Sequence, residues 1–283
     1  MNSNNTPVAL VTGANGGMGR EITRALLRSG YRVVVSCRPG KRGLDFYNLL
    51  SQEFGSDRVD YLDMDLSCEI SVRDAARRLL EKESRLDVLV NNAGMLGWKP
   101  EVNKKGYEMH NMVNCLGPML FTWLLKPILG RGSRIVNTVS VMIRVGRIPP
   151  HFPYPPEKFD RFKQYACSKL ALTLLSLRLA QLWKEDGITV NMTDPGIVNT
   201  PIIRLHKWID PLTDVFFRPV IRQAPRGAAT AIFLSLDPSV EGKTATLFKD
   251  CRAVRLSSRV LDDPGGADLW SFFITLLSYG DQQ

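Results

Sequence analysis

Val8-Ala9-Leu10-Val11-Thr12-Gly13-Ala14-Asn15-Gly16-Gly17-Met18-Gly19 is the stretch that decides the fold. Val8 to Val11 is a short β-rich run that ends in a glycine loop. Gly17 to Ser29 then reads as a helix, closed by Gly30. A strand that turns through glycines into a helix gathers the free N–H groups of the helix start at one point. Glycine tolerates positive φ and lets a ligand approach the backbone, so such a turn suits a pyrophosphate. Gly13, Asn15, Gly17, Met18 and Gly19 are the candidate contacts. A turn without a ligand could carry the same letters, but this position after a strand and before a helix argues against that.

The same alternation runs outward along the chain. Further strands are predicted at Arg32 to Ser36, Val59 to Asp63, Leu86 to Val90, Arg134 to Val139, Ile188 to Met192 and Ala245 to Phe248. Helical patterns lie between them, at Leu44 to Phe54, Glu69 to Ser84, Tyr107 to Leu129 and a run including Leu170 to Trp183. Gly117-Pro118 should bend or break the third of these. Strands alternating with helices predict an α/β chain, a Rossmann-type doubly wound parallel sheet of about seven strands with helices on both faces. No repeat or linker divides it. The expectation is one domain over 1–283, with the cofactor half roughly 1–140 and the catalytic helix and substrate loops roughly 141–283. Two stretches break the pattern: Ile148 to Asp160, rich in proline, and Val198 to Gln223, mixed apolar and basic. Both are expected above the sheet, where open α/β folds bind ligands.

Composition narrows the classes. A hydrophobic content of 44% and a charged content of 23% argue against disorder. The five cysteines (Cys37, Cys68, Cys115, Cys167, Cys251) form no CxxC pair, and the three histidines are scattered, so reduced thiols and no metal site are expected. The net charge of +9 is spread in small groups without aromatic interleaving, which speaks against nucleic acid as a partner. Met1 to Pro7 is polar and no stretch has the ~18 to 20 apolar residues that span a bilayer. The expectation is a soluble, cytoplasmic protein with no membrane span. A peripheral membrane contact stays open, as does monomer against homodimer.

The second strand ends at Ser36-Cys37-Arg38. About 20 residues after the glycine loop, an NAD-binding fold places an Asp or Glu on the ribose 2′-hydroxyl. No acid stands between Tyr31 and Gly43; Arg38, Lys41 and Arg42 stand there instead. A guanidinium can pair bidentately with a 2′-phosphate that a carboxylate would repel, so NADP(H) is favoured over NAD(H). Further on, Tyr165 and Lys169 lie four residues apart in a helical run. That spacing stacks them on one face, roughly 6 Å apart along the axis. A cation there favours the phenolate and brings a tyrosine toward the range of a useful acid/base.

Together these pieces resemble the short-chain dehydrogenases/reductases, over nearly the whole chain. The resemblance rests on Thr12-Gly13-x-x-x-Gly17-x-Gly19, on Asn91-Asn92-Ala93-Gly94 after the fourth strand, and on Asp65-Leu66 at the adenine-contacting position. Asn114, Ser140, Tyr165 and Lys169 match the catalytic tetrad in order, and Pro195-Gly196 with Val198 and Thr200 matches the nicotinamide-binding segment. It implies a cofactor set of Gly13, Asn15, Gly17, Met18, Gly19, Arg38, Asp65, Leu66, Asn92, Ala93, Gly94, Tyr165, Lys169, Pro195, Gly196, Val198 and Thr200. It also implies roles: Tyr165 exchanges the proton, Lys169 lowers the tyrosine pKa and binds the ribose, Ser140 hydrogen-bonds the substrate oxygen, and Asn114 holds a water. The long span from Ser140 to Tyr165, the Tyr165-x-x-Ser168-Lys169-Leu170-Ala171 run and Val240-Glu241-Gly242-Lys243 are similar to the retinol dehydrogenase-like and carbonyl reductase branch. One departure is Val139-Ser140 where that branch has a Ser-Ser pair; the proline-rich insertion is another.

The expected function is NADP(H)-dependent interconversion of a carbonyl and an alcohol on a lipophilic molecule, such as a retinoid, steroid, aldehyde or ketone. The lipophilic part rests on the family and on Ile202, Ile203, Leu205, Trp208, Ile209, Phe216 and Phe217. Two alternatives are a nucleotide-sugar epimerase-type enzyme and a catalytically idle NADP-binding sensor or scaffold.

Overall fold

The structure is a computed structural model, and it describes residues 6–196 and 223–278. Eight strands form one sheet in the order β3-β2-β1-β4-β5-β6-β7-β8. They are β1 (Val8–Thr12), β2 (Arg32–Cys37), β3 (Val59–Asp63), β4 (Val88–Asn91), β5 (Arg134–Thr138), β6 (Thr189–Asp194), β7 (Leu247–Lys249) and β8 (Arg252–Val254). All pairings are parallel except β7 with β8. The sequence reading stopped at β7. β8 follows a two-residue turn in which Asp250 and Cys251 both have positive φ, and its exposed, basic Arg252 gives it no buried-strand pattern.

The central strands are buried along their whole length, as parallel strands covered on both faces must be. On one face lie α1 (Gly17–Arg28) and α2 (Lys41–Phe54), with Ile22, Leu26, Phe46 and Leu50 against the sheet. The opposite face carries α3 (Glu69–Lys82), the segment Met109–Leu124 and the 22-residue α6 (Arg161–Leu182). The first face is completed by α7 (Ala224–Leu236). After the short α8 (Ser258–Leu261), α9 (Gly266–Ser278) places Leu269, Phe273 and Leu276 in the second core.

The long helix expected over Tyr107 to Leu129 is in fact three pieces. α4 (Met109–Asn111) leads into a π-helical turn (Met112–Leu116), and α5 (Gly117–Leu124) follows. Proline has no N–H to give the carbonyl four residues before it, which for Pro118 is Asn114. The irregularity therefore falls upstream of the Gly117-Pro118 bend that was expected. Gly117 also fits tightly, since a Cβ there would stand 2.3 Å from the Leu66 carbonyl oxygen.

The order reverses at β1, which pairs with β2 on one side and β4 on the other. A crevice opens there at the carboxyl ends of the strands. The glycine loop after β1 and the Asn-Asn-Ala-Gly run after β4 meet at this point.

Candidate active site

A cavity of about 1010 Å³ runs along that crevice. Gly13, Asn15, Gly17, Met18 and Gly19 line one end, and Asn92, Ala93 and Gly94 the other. The loop is as tight as its glycines allow. Gly13 has φ +62° and a Cβ on it would stand 3.0 Å from Ala93 Cα, while a Cβ on Gly19 would stand 2.2 Å from the Gly13 carbonyl oxygen. Thr12 and Asn92 brace the two halves. The Thr12 hydroxyl oxygen accepts from the Asn92 and Ala93 N–H groups at 3.0 and 3.1 Å. Asn92 Nδ2 donates to the Thr12 and Gly13 carbonyls at 2.9 and 3.3 Å.

Arg38, Lys41 and Arg42 line the same cavity beyond Ser36, Cys37 and the Pro39-Gly40 turn. Among the described residues none of the three is paired with a carboxylate. Asp65 and Leu66 are also in its wall, and Asp65 Oδ1 accepts from the Ser67 N–H and hydroxyl at 2.9 and 2.7 Å.

Asp160 starts α6 by accepting from the Phe162 and Lys163 N–H groups at 2.9 and 3.1 Å. Tyr165 and Lys169 follow within the helix, with the ammonium 5.8 Å from the tyrosine ring centre. Lys169 is 3% exposed, and its Nζ donates to the Thr138 carbonyl at 2.7 Å. Burial lowers its pKa to about 8. Tyr165 shifts the other way. Burial raises its pKa, a hydrogen bond with the Ser140 side chain pulls it down, and Asp194 pushes it up. Ser140 stands just past β5, where its hydroxyl also accepts from the Met142 N–H at 3.3 Å. The Ser140 side chain thus pulls the phenol down, and the Lys169 ammonium stands one turn along the same helix.

Asn114 is fully buried on the π-turn. Its side chain clasps the backbone of Met95, Oδ1 accepting from the N–H at 2.7 Å and Nδ2 donating to the carbonyl at 3.0 Å. The same Nδ2 donates to Ser168 Oγ at 3.0 Å, which ties the clasp to α6. A Cβ on Gly94 would stand 3.3 Å from Asn114 Oδ1 and 3.4 Å from Lys169 Nζ. The missing side chain keeps a cradle open between the cavity and the lysine.

The sequence matches the short chain dehydrogenase family over residues 7–207. The chain belongs to that family. Polyprenol dehydrogenase of Mus musculus is 36% identical over 252 residues, covering 86% of this chain and 75% of the relative. Retinol dehydrogenase 12 of Homo sapiens is 32% identical, covering 95% and 86%. The Pseudomonas aeruginosa RhlG/NADP active-site complex superposes with a TM-score of 0.70 at 27% identity, covering 86% of this chain and 94% of that one. The chain is therefore a short-chain dehydrogenase of the retinol dehydrogenase-like branch, an oxidoreductase. The family uses a nicotinamide nucleotide, and the residues fit one: a glycine cradle for the pyrophosphate, a cationic end whose Arg38, Lys41 and Arg42 meet no carboxylate among the described residues, and an open space at Gly94 beside Lys169.

The fold of this short-chain dehydrogenase brings Asn114, Ser140, Tyr165 and Lys169 to one end of the sheet. Pro195 and Gly196 follow β6, with Asp194 Oδ1 accepting from the Gly196 N–H at 3.0 Å. Val198, Thr200 and the apolar run Ile202 to Phe217 lie outside the described residues. The sequence motifs include Thr12 and Ser168 but not their parts as brace and as partner of Asn114, while Thr138, the lysine's acceptor, escaped the sequence reading altogether. His110 did too. Its Nδ1 bonds Glu108 Oε1 at 2.6 Å and its Nε2 accepts from the Gly97 N–H at 2.8 Å, so it pins the strap after Gly94. Only the strand-end position of Thr12 and Thr138 could have flagged them. Among the described residues no group of His, Cys, Asp and Glu is placed to hold a metal, and no helix is long and apolar enough to cross a membrane.

Proposed function

We propose that this chain interconverts a carbonyl and an alcohol on a lipophilic small molecule, using NADP(H). The observation that carries the reading is the buried Lys169, held by the Thr138 carbonyl one turn from Tyr165 and facing Gly94 in the wall of the glycine-lined cavity. When bound, the nicotinamide nucleotide supplies or takes the hydride. Tyr165 gives its hydroxyl proton to the substrate oxygen in reduction and takes one back in oxidation. Ser140 hydrogen-bonds the same oxygen and steadies the charge that develops on it. Lys169 keeps a positive charge close to the tyrosine, its ammonium fixed by the hydrogen bond it donates to the Thr138 carbonyl. On the π-turn the Asn114 carbonyl, deprived of its α-helical donor by Pro118, is available to a water. The whole chain, 1–283, acts as one domain, its first half holding the nucleotide.

NADP(H) over NAD(H) is supported by Arg38, Lys41 and Arg42, three cations without a carboxylate among the described residues. A lipophilic substrate is supported by the relatives, whose names specify retinol and polyprenol. A retinoid, a steroid and long aldehydes or ketones are the substrates to try.

The test is a panel of such carbonyls with NADPH and with NADH. Turnover with NADPH, weakened at least tenfold when NADH replaces it, is expected, and Arg38→Ala should erase most of that preference. Tyr165→Phe should cut kcat/KM by about 10²-fold or more. Unchanged turnover in that variant would sink the acid/base assignment.

A further inference from the structure

A second cavity, of about 570 Å³, opens at the start of α6. Trp98, Lys158, Phe159, Asp160, Arg161 and Lys163 line it. Arg161 is its centre. The guanidinium carbon lies 3.6 Å above the Trp98 ring and 5.1 Å from that of Phe162, so aromatic faces sandwich the cation. Its one polar contact among the described residues is long, Nη2 to the Leu96 carbonyl at 3.5 Å. Nε and Nη1 are buried and have no acceptor. Buried donors are nearly always paired, and an unpaired one costs about 1–3 kcal/mol.

No carboxylate forms an ion pair with the guanidinium among the described residues. The only acid in the wall, Asp160, has Oδ1 engaged by the Phe162 and Lys163 N–H groups. Lys158 and Lys163 are exposed, and neither meets a carboxylate among the described residues. Burial pushes the Arg161 pKa down, as it does for a cation without a partner. Stacking on Trp98 leaves the guanidinium edge as the direction from which an acceptor can come.

The pocket is also coupled to the reaction centre. Arg161 precedes Tyr165 by four residues, one helical turn and roughly 6 Å along the axis. The strap Gly94–Trp98 joins them from the other side. Gly94 faces Lys169, Met95 is clasped by Asn114, Leu96 meets Arg161, Gly97 is held by His110 and Trp98 carries the guanidinium.

We propose that this pocket binds an anionic head group, a carboxylate or phosphomonoester, on the substrate whose carbonyl reaches Tyr165. The inference rests on the reductase reading above and narrows its substrate class to lipophilic carbonyl compounds with an acidic end. Planar bidentate pairing suits Arg161 to either anion. Lys158 and Lys163 add attraction at the rim, and Trp98 and Phe159 offer the apolar wall for the adjoining chain.

Two measurements test it. In the first, 12-oxododecanoate and its methyl ester are compared as substrates with NADPH. The intact enzyme should show a KM at least tenfold lower for the acid. That ratio should fall toward one in Arg161→Gln, and severalfold in Lys158→Gln/Lys163→Gln, whose positions are exposed and leave the Trp98 stack in place. Equal KM values for acid and ester in the intact enzyme would overturn the proposal while leaving the reductase reading standing. The second measurement does not depend on turnover. Laurate and dodecyl phosphate are titrated separately into the enzyme by calorimetry, with 1-dodecanol as the neutral control. Binding of one anion or both, at least tenfold tighter than the alcohol and weakened by the same variants, supports the pocket and says which head group it takes. Binding that ignores the variants, or that matches dodecanol, refutes it. An enzyme that binds laurate in this way yet turns over neither substrate would retain the pocket and count against the reductase reading.

Discussion

Lys169 carries the largest resolved conflict between burial and charge in the site. Its ordinary pKa of 10.5 falls to about 8 in the fold. Between those values the unfolded chain binds a proton that the folded chain does not, so this group's contribution to stability rises with pH across that window. Below about pH 8 the penalty is at its full size, about 3 kcal/mol at 1.36 kcal/mol per tenfold. Lys169→Met would relieve it but leave the Thr138 carbonyl without its donor, at about 1–2 kcal/mol. The variant is expected to be about 1–2 kcal/mol more stable than the parent at pH 7, read from urea midpoints, and to lose that advantage toward pH 10. Its turnover should fall by about 10²-fold or more. A site residue whose removal stabilises the protein marks a position kept for chemistry. A destabilised Lys169→Met would mean that the Thr138 hydrogen bond outweighs the burial.

The candidate catalytic residues sit on elements of unequal legibility. Tyr165 and Lys169 could be placed from spacing alone, because i,i+4 fixes one helix face whatever surrounds it. Ser140 could be placed because it ends a strand run. The π-turn could not, because apolar spacing continues through Met112 to Leu116 and a proline announces only that something breaks nearby. The Asn114–Met95 clasp and the Lys169–Thr138 bond were equally hidden, since each joins segments distant in sequence. Pro118 makes the π-turn testable. Pro118→Ala restores an N–H that an α-helix would give to the Asn114 carbonyl. The turn should then tighten, and Asn114 with it should shift off Met95. Thermal stability is expected to hold or rise by about 1 kcal/mol, since alanine suits a helix better than proline. Reductase kcat should fall tenfold or more. Full activity in a folded Pro118→Ala would show that the site does not need the free carbonyl.

At the scale of the molecule, the parallel sheet was readable because buried parallel strands are continuous apolar runs and each is followed by a helix. The edge strand β8 and the placement of α9 were not, because they depend on surfaces that exist only once the sheet is covered. The Leu269 to Leu277 run is apolar on most sides, a pattern that suits packing on the domain. In the fold α9 lies across α5 and α6. Phe273 meets the Trp123 ring at 6.2 Å, Trp270 meets it at 6.4 Å, and Arg178 lies 5.3 Å from the Trp270 ring. Tyr107 and Phe152 meet Phe272 edge-on, so the helix also covers the proline-rich insertion. At the far end the Arg73 guanidinium donates to the Leu276 carbonyl at 2.8 Å, capping the helix. The buried residues of this apolar helix, Leu269, Phe273 and Leu276, are thus spent on the fold. Phe273 is fully buried while its neighbour Ile274 is 40% exposed. Phe273→Ala should therefore cost about 3–5 kcal/mol in urea unfolding, and Ile274→Ala within about 0.5 kcal/mol. Were α9 instead a docking helix for a partner, the order would reverse: Phe273→Ala would leave the isolated chain's stability nearly intact, and Ile274→Ala would change its association in sedimentation.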